Sequence, residues 1–226
     1  MEIIAAHACV LARPKSVSRG RLFVCGDIHG CYDELMQQLR LVGFDTGRDR
    51  LVALGDLVDR GPKSAEVLAL LTEPWFTSIR GNHEELMIQA VNGDPTMHII
   101  NGGIWLAHLP ADERNRLAAL AMALPVALTV ISPSGRKIGF VHADVPGDDW
   151  DAFIERLDCP QVQEYAMWTR DRVRTAKRNL PLPPIRNVDH VYFGHTPLAE
   201  SVTAANMSWI DTGCFATGRL TLEEIA

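Results

Sequence analysis

The sequence predicts a mixed α/β fold (α+β in its second half) built from two packed sheets, and three observations lead to this fold class. Through the first half of the 226-residue chain, short apolar runs alternate with amphipathic segments, an order typical of a parallel sheet covered by helices. In the second half, apolar runs follow one another, which indicates a second, mostly antiparallel sheet packed against the first. The length and the 47% hydrophobic composition suffice for one core, so we expect residues 1–226 to form a single domain.

Three strands and three helices are predicted in alternation in the first half. The first helix is expected to end at Gly43 as a C-cap, and its apolar face is formed by Tyr32, Leu35, Leu39 and Val42. The predicted strands cover residues 21–25, 51–54 and 75–80, and the predicted helices cover residues 32–42, 63–71 and 84–91. This order brings the carboxyl ends of the strands to one edge of the sheet, where open α/β sheets bind ligands.

Strands dominate the second half, after a predicted helix over residues 111–124. Pro133-Ser134-Gly135 has the composition of a hairpin turn between the first two strands. A long insertion with modest helices and a proline-rich end lies between His142 and His190, and we expect it to form a wall of the functional site. The predicted strands cover residues 126–131, 137–141, 190–193, 207–210 and 220–222.

Composition and charge argue against several classes of protein. A net charge of −6 is unlike that of a general nucleic-acid binder, which would be basic. The five cysteines are scattered and lack C-x-x-C pairs, which fits free thiols in the cytoplasm better than disulfides or a zinc ribbon. The mildly apolar run 3–12 lacks the features of a signal peptide, and no run approaches the roughly 20 apolar residues of a membrane span. We therefore expect a cytoplasmic protein that binds neither nucleic acid nor membranes.

Five short segments, each at the end of an apolar run, carry most of the chemical information. They are Gly26-Asp27-Ile28-His29-Gly30, Gly55-Asp56-Leu57-Val58-Asp59-Arg60-Gly61, Gly81-Asn82-His83-Glu84, Val141-His142-Ala143 and Gly194-His195-Thr196. Each is ambiguous alone, but together they offer six oxygen and nitrogen donors that suit two hard or borderline divalent cations. Two adjacent cations are a common means of hydrolysing phosphate esters. The predicted ligands are Asp27, His29, Asp56 (which could bridge the cations), Asn82, His142 and His195.

Charged residues beside these donors are candidates for handling phosphate and a proton. Arg60 follows the second segment's Asp turn and Arg80 precedes the third segment, and the planar fork of arginine matches phosphate oxygens. The alternative interpretation of both arginines is that they are ordinary charged residues on the protein surface. His83 is the natural candidate to protonate the leaving oxygen, and Asp59 could hold its other ring nitrogen and raise its pKa.

The first three segments resemble, in order and spacing, the fingerprints G-D-x-H-G, G-D-x-x-D-R-G and G-N-H-E of the phosphoprotein phosphatase family of metallophosphoesterases. The branch that the chain resembles most is the small bacterial and phage serine/threonine protein phosphatases of the lambda type. The resemblance runs from about residue 22 to residue 222. It includes Pro74-Trp75-Phe76, Asn101-Gly102-Gly103, His142-Ala143-Asp144, Trp168-Thr169-Arg170, Phe193-Gly194-His195-Thr196-Pro197 and Ile210-Asp211-Thr212-Gly213.

The resemblance implies a calcineurin-like, four-layer α/β/β/α sandwich with two packed mixed sheets and a dinuclear metal centre. A hydroxide bridging two cations would attack phosphorus in line, without a phosphoenzyme. The implied ligands are Asp27, His29 and bridging Asp56 for one cation, and Asp56, Asn82, His142 and His195 for the other. The implied phosphate-binding residues are Arg60 and Arg170 with Arg80 in support, and the implied general acid is His83 paired with Asp59. The family commonly works with manganese, whereas the donor set alone leaves manganese, iron, zinc and magnesium open.

Three functional hypotheses follow. The leading one is a phosphatase for phosphoserine and phosphothreonine in proteins or peptides, with phosphotyrosine and phosphohistidine as further candidate substrates. The alternative enzyme is a symmetrical diadenosine-tetraphosphate hydrolase, a related branch with Ala for the acidic partner in the second motif and Asp after G-N-H. Asp59, Glu84 and Asp144 favour the protein-phosphatase branch. A non-catalytic phosphate-binding module would lack a ligand or the acid, and none is missing.

A basic segment from Arg170 to Arg178 has two interpretations. At helical spacing, four of its side chains share one side of the segment: Arg170, Arg174, Lys177 and Arg178. The resemblance assigns Arg170 to the phosphate. The others either form a solvated face, as charge runs usually do, or attract acidic or phosphorylated substrates.

Overall fold

Ten strands in two sheets make up the frame of this computed structural model, which describes residues 8–11, 20–132 and 134–225. The strands are β1 (Ala8–Leu11), β2 (Leu22–Cys25), β3 (Arg50–Ala53), β4 (Phe76–Ser78), β5 (Ala127–Ile131), β6 (Lys137–Val141), β7 (His190–Phe193), β8 (Val202–Ala204), β9 (Met207–Trp209) and β10 (Leu222–Ile225).

Helices connect the strands and cover the sheets. They are α1 (Tyr32–Leu41), α2 (Ser64–Ala69), α3 (Asn82–Asn92), α4 (Thr96–His98), α5 (Ile104–Ala107), α6 (Ala111–Met122), α7 (Trp150–Glu155), α8 (Pro160–Trp168), α9 (Asp171–Lys177) and α10 (Cys214–Thr217). A 3₁₀ turn, Leu70–Thr72, continues α2, and a π-helical turn, Ile99–Gly103, joins α4 to α5. Within the described ranges, none of these helices has the length and apolar character needed to cross a membrane.

The first sheet, in the order β10-β2-β3-β4, confirms the parallel arrangement predicted for the first half. β2, β3 and β4 run parallel, because α1 and α2 carry the chain back between them. β10 pairs antiparallel with β2 and places Leu222 opposite Cys25. The strand predicted over 220–222 in the second sheet is therefore wrong in position and in sheet. β3 pairs with one edge of β2, and β10 pairs with the other edge.

The second sheet, in the order β1-β5-β6-β7-β9-β8, is mixed rather than mostly antiparallel. Among the described strands, β5/β6 and β8/β9 are antiparallel, whereas β1/β5, β6/β7 and β7/β9 are parallel. The expectation from the apolar pattern is wrong here because the helical insertion after β6 is long enough for a crossover that returns the chain in the same direction. The two mixed sheets that the family resemblance implies are confirmed. β1 and β8 are strands that the apolar pattern did not predict, and the rest of the run 3–12 lies outside the described residues.

The hairpin predicted between β5 and β6 is present. β5 and β6 pair antiparallel, and Gly135 N donates to Ser132 O at 2.9 Å across the turn. Pro133 lies outside the described residues. The insertion between β6 and β7 contains α7, α8 and α9, in agreement with the modest helices predicted there.

Alternation along the strands separates three apolar clusters, which define four layers. In β2, Phe23 and Cys25 face the cluster formed with α1, α2, α3 and α6, whereas Val24 faces the second sheet. Leu128 and Phe140 of the second sheet belong to the same central cluster as Val24. The opposite face of the second sheet packs against α7, α8 and α9. The resulting order of helix, sheet, sheet and helix confirms the expected α/β/β/α sandwich.

The start of α3 positions two functional candidates. The apolar pattern predicts a helix over 84–91, whereas α3 begins at Asn82, with Gly81 as its N-cap. Glu84 Oε2 accepts a hydrogen bond from Gly81 N at 2.8 Å, which is the glutamate half of a capping box, since glycine has no side chain to supply the other half. Asn82 and His83 therefore lie in the first helical turn, where backbone geometry holds their side chains.

Candidate active site

The six predicted metal ligands meet at the carboxyl ends of strands from both sheets. They are Asp27 and His29 after β2, Asp56 after β3, Asn82 at the start of α3, His142 after β6 and His195 after β7, and all are buried. Asp56 lies between the others, because its Oδ2 is 3.6 Å from His29 Nε2 and its Oδ1 is 3.4 Å from His142 Nε2. Strand ends at neighbouring edges thus bring together residues that are far apart in the chain.

Left-handed backbone conformations are concentrated at this edge. Eight non-glycine residues in the described ranges have positive φ, and five of them are predicted site residues with φ between 46° and 72°: His29, Asp56, Asp59, Arg60 and His195. Such conformations cost on the order of 1–3 kcal/mol each and persist only where the surroundings enforce them. Here backbone hydrogen bonds do so, since His29 N donates to Asp56 O at 2.8 Å. The side chains of the site are held by a backbone that the rest of the fold keeps in place.

Hydrogen bonds to backbone carbonyls determine which ring nitrogen of three histidines faces the centre. The bonds are His29 Nδ1 to Val58 O at 2.8 Å, His142 Nδ1 to Leu54 O at 2.6 Å, and His195 Nε2 to Trp168 O at 3.1 Å. A carbonyl oxygen can only accept, so these nitrogens carry a hydrogen, and in the neutral ring the opposite nitrogen presents a lone pair. Burial lowers the pKa of His29 and of His195 to about 3, which keeps both rings neutral. Proteins commonly orient metal-binding imidazoles in this way.

Several hydrogen-bond acceptors converge on one point. Asn82 Oδ1 lies 3.0 Å from His142 Nε2 and 2.9 Å from His195 Nδ1, the two nitrogens that present lone pairs. Acceptors this close to one another need a cation or a hydrogen between them. Two groups of side-chain atoms that could hold a metal share Asp56, and within each group the atoms lie within 4.8 Å of one another: His29, Asp56 and His83, and Asp56, His142 and His195. The first group contains His83, the predicted proton donor, and does not contain the predicted ligand Asp27. The donor set fits two adjacent divalent cations.

The buried carboxylates around this point favour the same conclusion. Burial, together with the charges of Asp211 and Asp56, raises the pKa of Asp27 well above its ordinary value. Burial also raises the pKa of Asp211 to about 6, and Asp211 Oδ2 has no hydrogen-bond partner within the described residues. Burial acts to raise the pKa of Asp56 too, but attraction to His142 and His83, whose own pKa values Asp56 raises, outweighs this effect and holds the pKa low. An added positive charge would stabilise this group of acids.

His83 and Asp59 form a buried pair beside the ligands. His83 Nδ1 donates to Asp59 Oδ2 at 2.7 Å, and the two side chains are 1% and 0% exposed. Burial acts to lower the pKa of His83, but the charge of Asp56 and the hydrogen bond to Asp59 outweigh it, and the pKa is raised. This is the pairing that the sequence predicts. The second ring nitrogen, Nε2, lies 3.9 Å from Asp56 Oδ2.

Two of the three arginines predicted to bind phosphate are exposed near the ligands. Arg60 Nη1 donates to His29 Nε2 at 2.8 Å, and the guanidinium lies over the ring of Phe215, with 4.5 Å between Cζ and the ring centroid. Arg170 is exposed, and its side chain forms no ion pair within the described ranges. After burial and the charge of His142, the charge of Arg170 also lowers the pKa of His195, so Arg170 is near that ligand.

Arg80, the third predicted arginine, binds elsewhere in the fold. Its Nη2 donates to Met122 O at 2.6 Å and to Leu124 O at 3.2 Å, and its Nη1 lies 3.4 Å from Glu85 Oε2. These carbonyls belong to the end of α6, where helix carbonyls lack partners within the helix. The structure therefore shows Arg80 joining α6 to the start of α3. A role for Arg80 in phosphate binding stays a prediction, and these contacts do not favour it.

Comparison with known proteins identifies the family. The profile of the family described as calcineurin-like phosphoesterase matches residues 20–199, which is most of the chain. The chain belongs to the calcineurin-like phosphoesterase family.

Relatives of this calcineurin-like phosphoesterase include enzymes with two kinds of name. It is 38% identical to serine/threonine-protein phosphatase 1 of Salmonella typhimurium over 208 residues, which cover 90% of this chain and 91% of that protein. It is 28% identical to the asymmetrical bis(5'-nucleosyl)-tetraphosphatase PrpE of Bacillus subtilis, over 88% of each chain. The solved structure of a proposed diadenosine tetraphosphatase superposes with a TM-score of 0.66 at 24% identity, covering 98% of this chain and 94% of that chain. At this identity the structural likeness supports the fold alone.

Glu84 has a role in this calcineurin-like phosphoesterase that sequence reasoning missed. Its carboxylate is fully buried and accepts from three backbone N–H groups: Asp56 N at 2.8 Å, Leu57 N at 2.7 Å and Gly81 N at 2.8 Å. It thereby fastens the turn of Asp56 to the start of α3. The capping-box spacing of Gly81-x-x-Glu84 is the signal that could have indicated half of this arrangement.

Asp144 joins the loop after His142 to the first turn of α9. It accepts from Arg172 Nη1, and its Oδ2 accepts from Arg172 N at 3.2 Å. Arg172 therefore points into the fold and is not part of a continuous basic face. The remaining basic residues of the segment are exposed, which fits a solvated surface on either side of that pair: Arg170, Arg174, Lys177 and Arg178.

Proposed function

We propose that this calcineurin-like phosphoesterase removes phosphate from phosphoserine and phosphothreonine in phosphorylated proteins or peptides. One observation carries the proposal: lone pairs from three buried histidines converge with Asn82 and Asp56 beside the exposed guanidinium of Arg60. Such a centre suits a doubly charged phosphate monoester. The name of the Salmonella relative, a serine/threonine-protein phosphatase at 38% identity, supports this substrate class. A cytoplasmic location is part of the same proposal and rests on the scattered cysteines.

Two divalent cations, with manganese as the proposed metal, would bind the convergent acceptors. The residues that would hold them are the predicted ligands: Asp27, His29 and Asp56 for one, and Asp56, Asn82, His142 and His195 for the other. When bound, the cations would neutralise phosphate charge and supply a nucleophile at neutral pH. Iron, zinc and magnesium suit nitrogen and oxygen donors as well, and the family resemblance favours manganese.

Arg60 and Arg170 would bind the phosphate oxygens, because both guanidinium groups are exposed and near the ligands. His83 would give the proton on Nε2 to the leaving oxygen, while Asp59 holds the opposite nitrogen at 2.7 Å. A serine or threonine alkoxide is a strong base, so its departure needs this proton. Asp59 remains ionised throughout, and its negative charge stabilises the charged imidazole of His83 before the proton is transferred.

Hydrolysis of dinucleoside tetraphosphates is the second candidate function. The observation that favours it is the 28% identity to the PrpE tetraphosphatase over 88% of the chain. Two contacts weigh against it. Asp59, which the dinucleotide branch replaces, is bound to His83, and Asp144 is bound to Arg172.

The test compares a panel of phosphoserine and phosphothreonine peptides with diadenosine tetraphosphate under the same metal loading. We expect chelated protein to be inactive, and manganese to restore hydrolysis with about two metal ions bound per chain. Peptides should show the higher kcat/KM. A preference for the dinucleotide would overturn the substrate class and leave the metal chemistry intact. Full activity of rigorously metal-free protein would overturn the whole proposal.

A further inference from the structure

The segment 96–107 crosses the loop that carries Asp59, and none of its residues belongs to the proposed metal ligands, the phosphate-binding arginines or the proton donor. It consists of α4, the π-helical turn Ile99–Gly103 and α5. The turn contains Asn101-Gly102-Gly103, a motif of the resemblance without an assigned function. Arg60 N donates to Gly102 O at 3.5 Å, which places the turn directly against the Asp59 loop. π-helical turns are rare and are frequent at functional sites.

Two side chains of this segment bind the same oxygen of Asp59. His98 Nε2 donates to Asp59 Oδ1 at 2.8 Å, and Trp105 Nε1 donates to the same Oδ1 at 2.8 Å. The other oxygen, Oδ2, is left to His83 Nδ1 at 2.7 Å. His98 is 1% exposed and Asp59 is fully buried, so the carboxylate is shielded from bulk water. His98 and Trp105 therefore bind one oxygen of the carboxylate, and the imidazole of His83 binds the other.

The two glycines explain how the segment reaches Asp59. A Cβ atom on Gly103 would lie 2.3 Å from atoms of the His98 ring, a distance that no side chain tolerates. Gly102 has φ of +103°, and a Cβ there would lie 3.0 Å from Arg60 N. Any larger residue at either position would displace His98 or separate the turn from the loop. The motif thus serves the contact with Asp59.

We propose that His98 and Trp105 are positioning residues, which hold the Asp59 carboxylate so that it orients His83 toward the leaving oxygen. A carboxylate bound only by His83 could rotate about its terminal torsion, and the imidazole would lose its fixed direction. Two donors on Oδ1 remove that freedom. This inference rests on the proposed function, in particular on His83 as the proton donor.

The experiment measures kcat and KM with a phosphoserine peptide and with p-nitrophenyl phosphate, whose leaving group needs little protonation. Trp105→Phe removes the N–H and keeps most of the ring, His98→Leu removes a donor at similar volume, and His98→Gln keeps an amide donor near the position of Nε2. We expect Trp105→Phe and His98→Leu to lower kcat for the peptide by about 10- to 100-fold, by analogy with the loss of hydrogen-bonded partners that orient metal ligands. The loss should be much smaller for p-nitrophenyl phosphate, KM should change little, and His98→Gln should recover most of the activity.

His190→Leu is the matched control, because His190 hydrogen-bonds Ser208 Oγ at 3.0 Å in the second sheet and does not contact Asp59. It should not change the ratio of the two activities. Equal losses on both substrates, or no loss in Trp105→Phe, would overturn the inference. If His98→Leu does not fold, Trp105→Phe still decides the matter. If the wild-type protein itself fails to hydrolyse the phosphoserine peptide, the proposed function is wrong and this inference falls with it, an outcome distinct from a failure of the variants alone.

Discussion

Replacing Glu84 by glutamine tests how the turn of Asp56 is held. The carboxylate accepts three backbone N–H groups at 2.7–2.8 Å in a fully buried position. The single acceptor oxygen of glutamine can keep the two hydrogen bonds that Oε2 accepts from Asp56 N and Gly81 N. The amide nitrogen of glutamine then lies against Leu57 N–H, and both groups are donors. A lost bond to a charged acceptor costs about 1.5–3 kcal/mol, and an unpaired buried N–H costs about 1–3 kcal/mol. These two figures describe the same lost interaction and are not added, and burial with the charge of Asp56 raises the pKa of Glu84 to about 7, so the acceptor is only partly charged near neutral pH. We therefore expect Glu84→Gln to lower the free energy of unfolding by roughly 1–3 kcal/mol.

Urea unfolding of the chelated protein measures this change without a contribution from bound metal. Manganese titration of the same samples measures the second effect, because a loosened Asp56 should weaken metal binding by about 10- to 100-fold, as loss of a supporting partner commonly does. The matched control is Glu85→Gln. Glu85 is the next residue of α3, its side chain is 27% exposed, and its ion pair with Arg80 is 3.4 Å long. That change should cost less than about 1 kcal/mol.

A result in which both variants lose the same stability would refute the reasoning. So would a Glu84→Gln protein with normal metal affinity. Either outcome would mean that the backbone N–H groups of Asp56 and Leu57 are satisfied in another way when the carboxylate is removed. The turn of Asp56 would then be held by the sheet alone.

Three further predictions concern the metal site, the acid and the stability at low pH. Asp56→Asn should reduce both metal content and activity more than any change outside the ligand set, measured by metal analysis and turnover, because Asp56 belongs to both groups of ligand atoms. His83→Asn should lower kcat for phosphoserine peptides by roughly 10²–10⁴-fold with unchanged metal content, and by less for p-nitrophenyl phosphate; metal release or an equal loss on both substrates would contradict the acid role. Burial acts to raise the pKa of Asp49, but hydrogen bonds from Arg21 outweigh it and the pKa is lowered. Asp49→Asn should therefore lower the free energy of unfolding in urea at pH 7 by about 1.5–3 kcal/mol. The difference in stability from wild type should disappear as the pH falls from about 4 through the lowered pKa of Asp49. A stability difference that does not depend on pH would contradict this prediction.

Local sequence determined where the ligands lie along the chain. An apolar run ending in a Gly-Asp turn predicts a strand with a donor at its carboxyl end, and Asp27, Asp56 and Asn82 follow this pattern. The pattern works because burial repeats every second residue in a strand and glycine permits the turn that follows. The same reasoning predicted the parallel order of β2, β3 and β4. The pairing of His83 with Asp59 was predicted from the chemistry of a proton donor beside the ligands.

Tertiary structure alone decided which distant segments meet. β10 pairs with β2 in the first sheet, and β6 pairs parallel with β7. Which strands pair depends on the strand edges that are open and on the length of the connection. The local period of apolar residues contains neither kind of information. Arg80 turned to the carbonyls of α6 because a buried guanidinium binds the nearest unpaired acceptors. His98 and Trp105 reach Asp59 from 39 and 46 residues away. Their contact depends on how one helical segment packs over a loop, and side-chain packing at that range is decided only when the whole chain is folded.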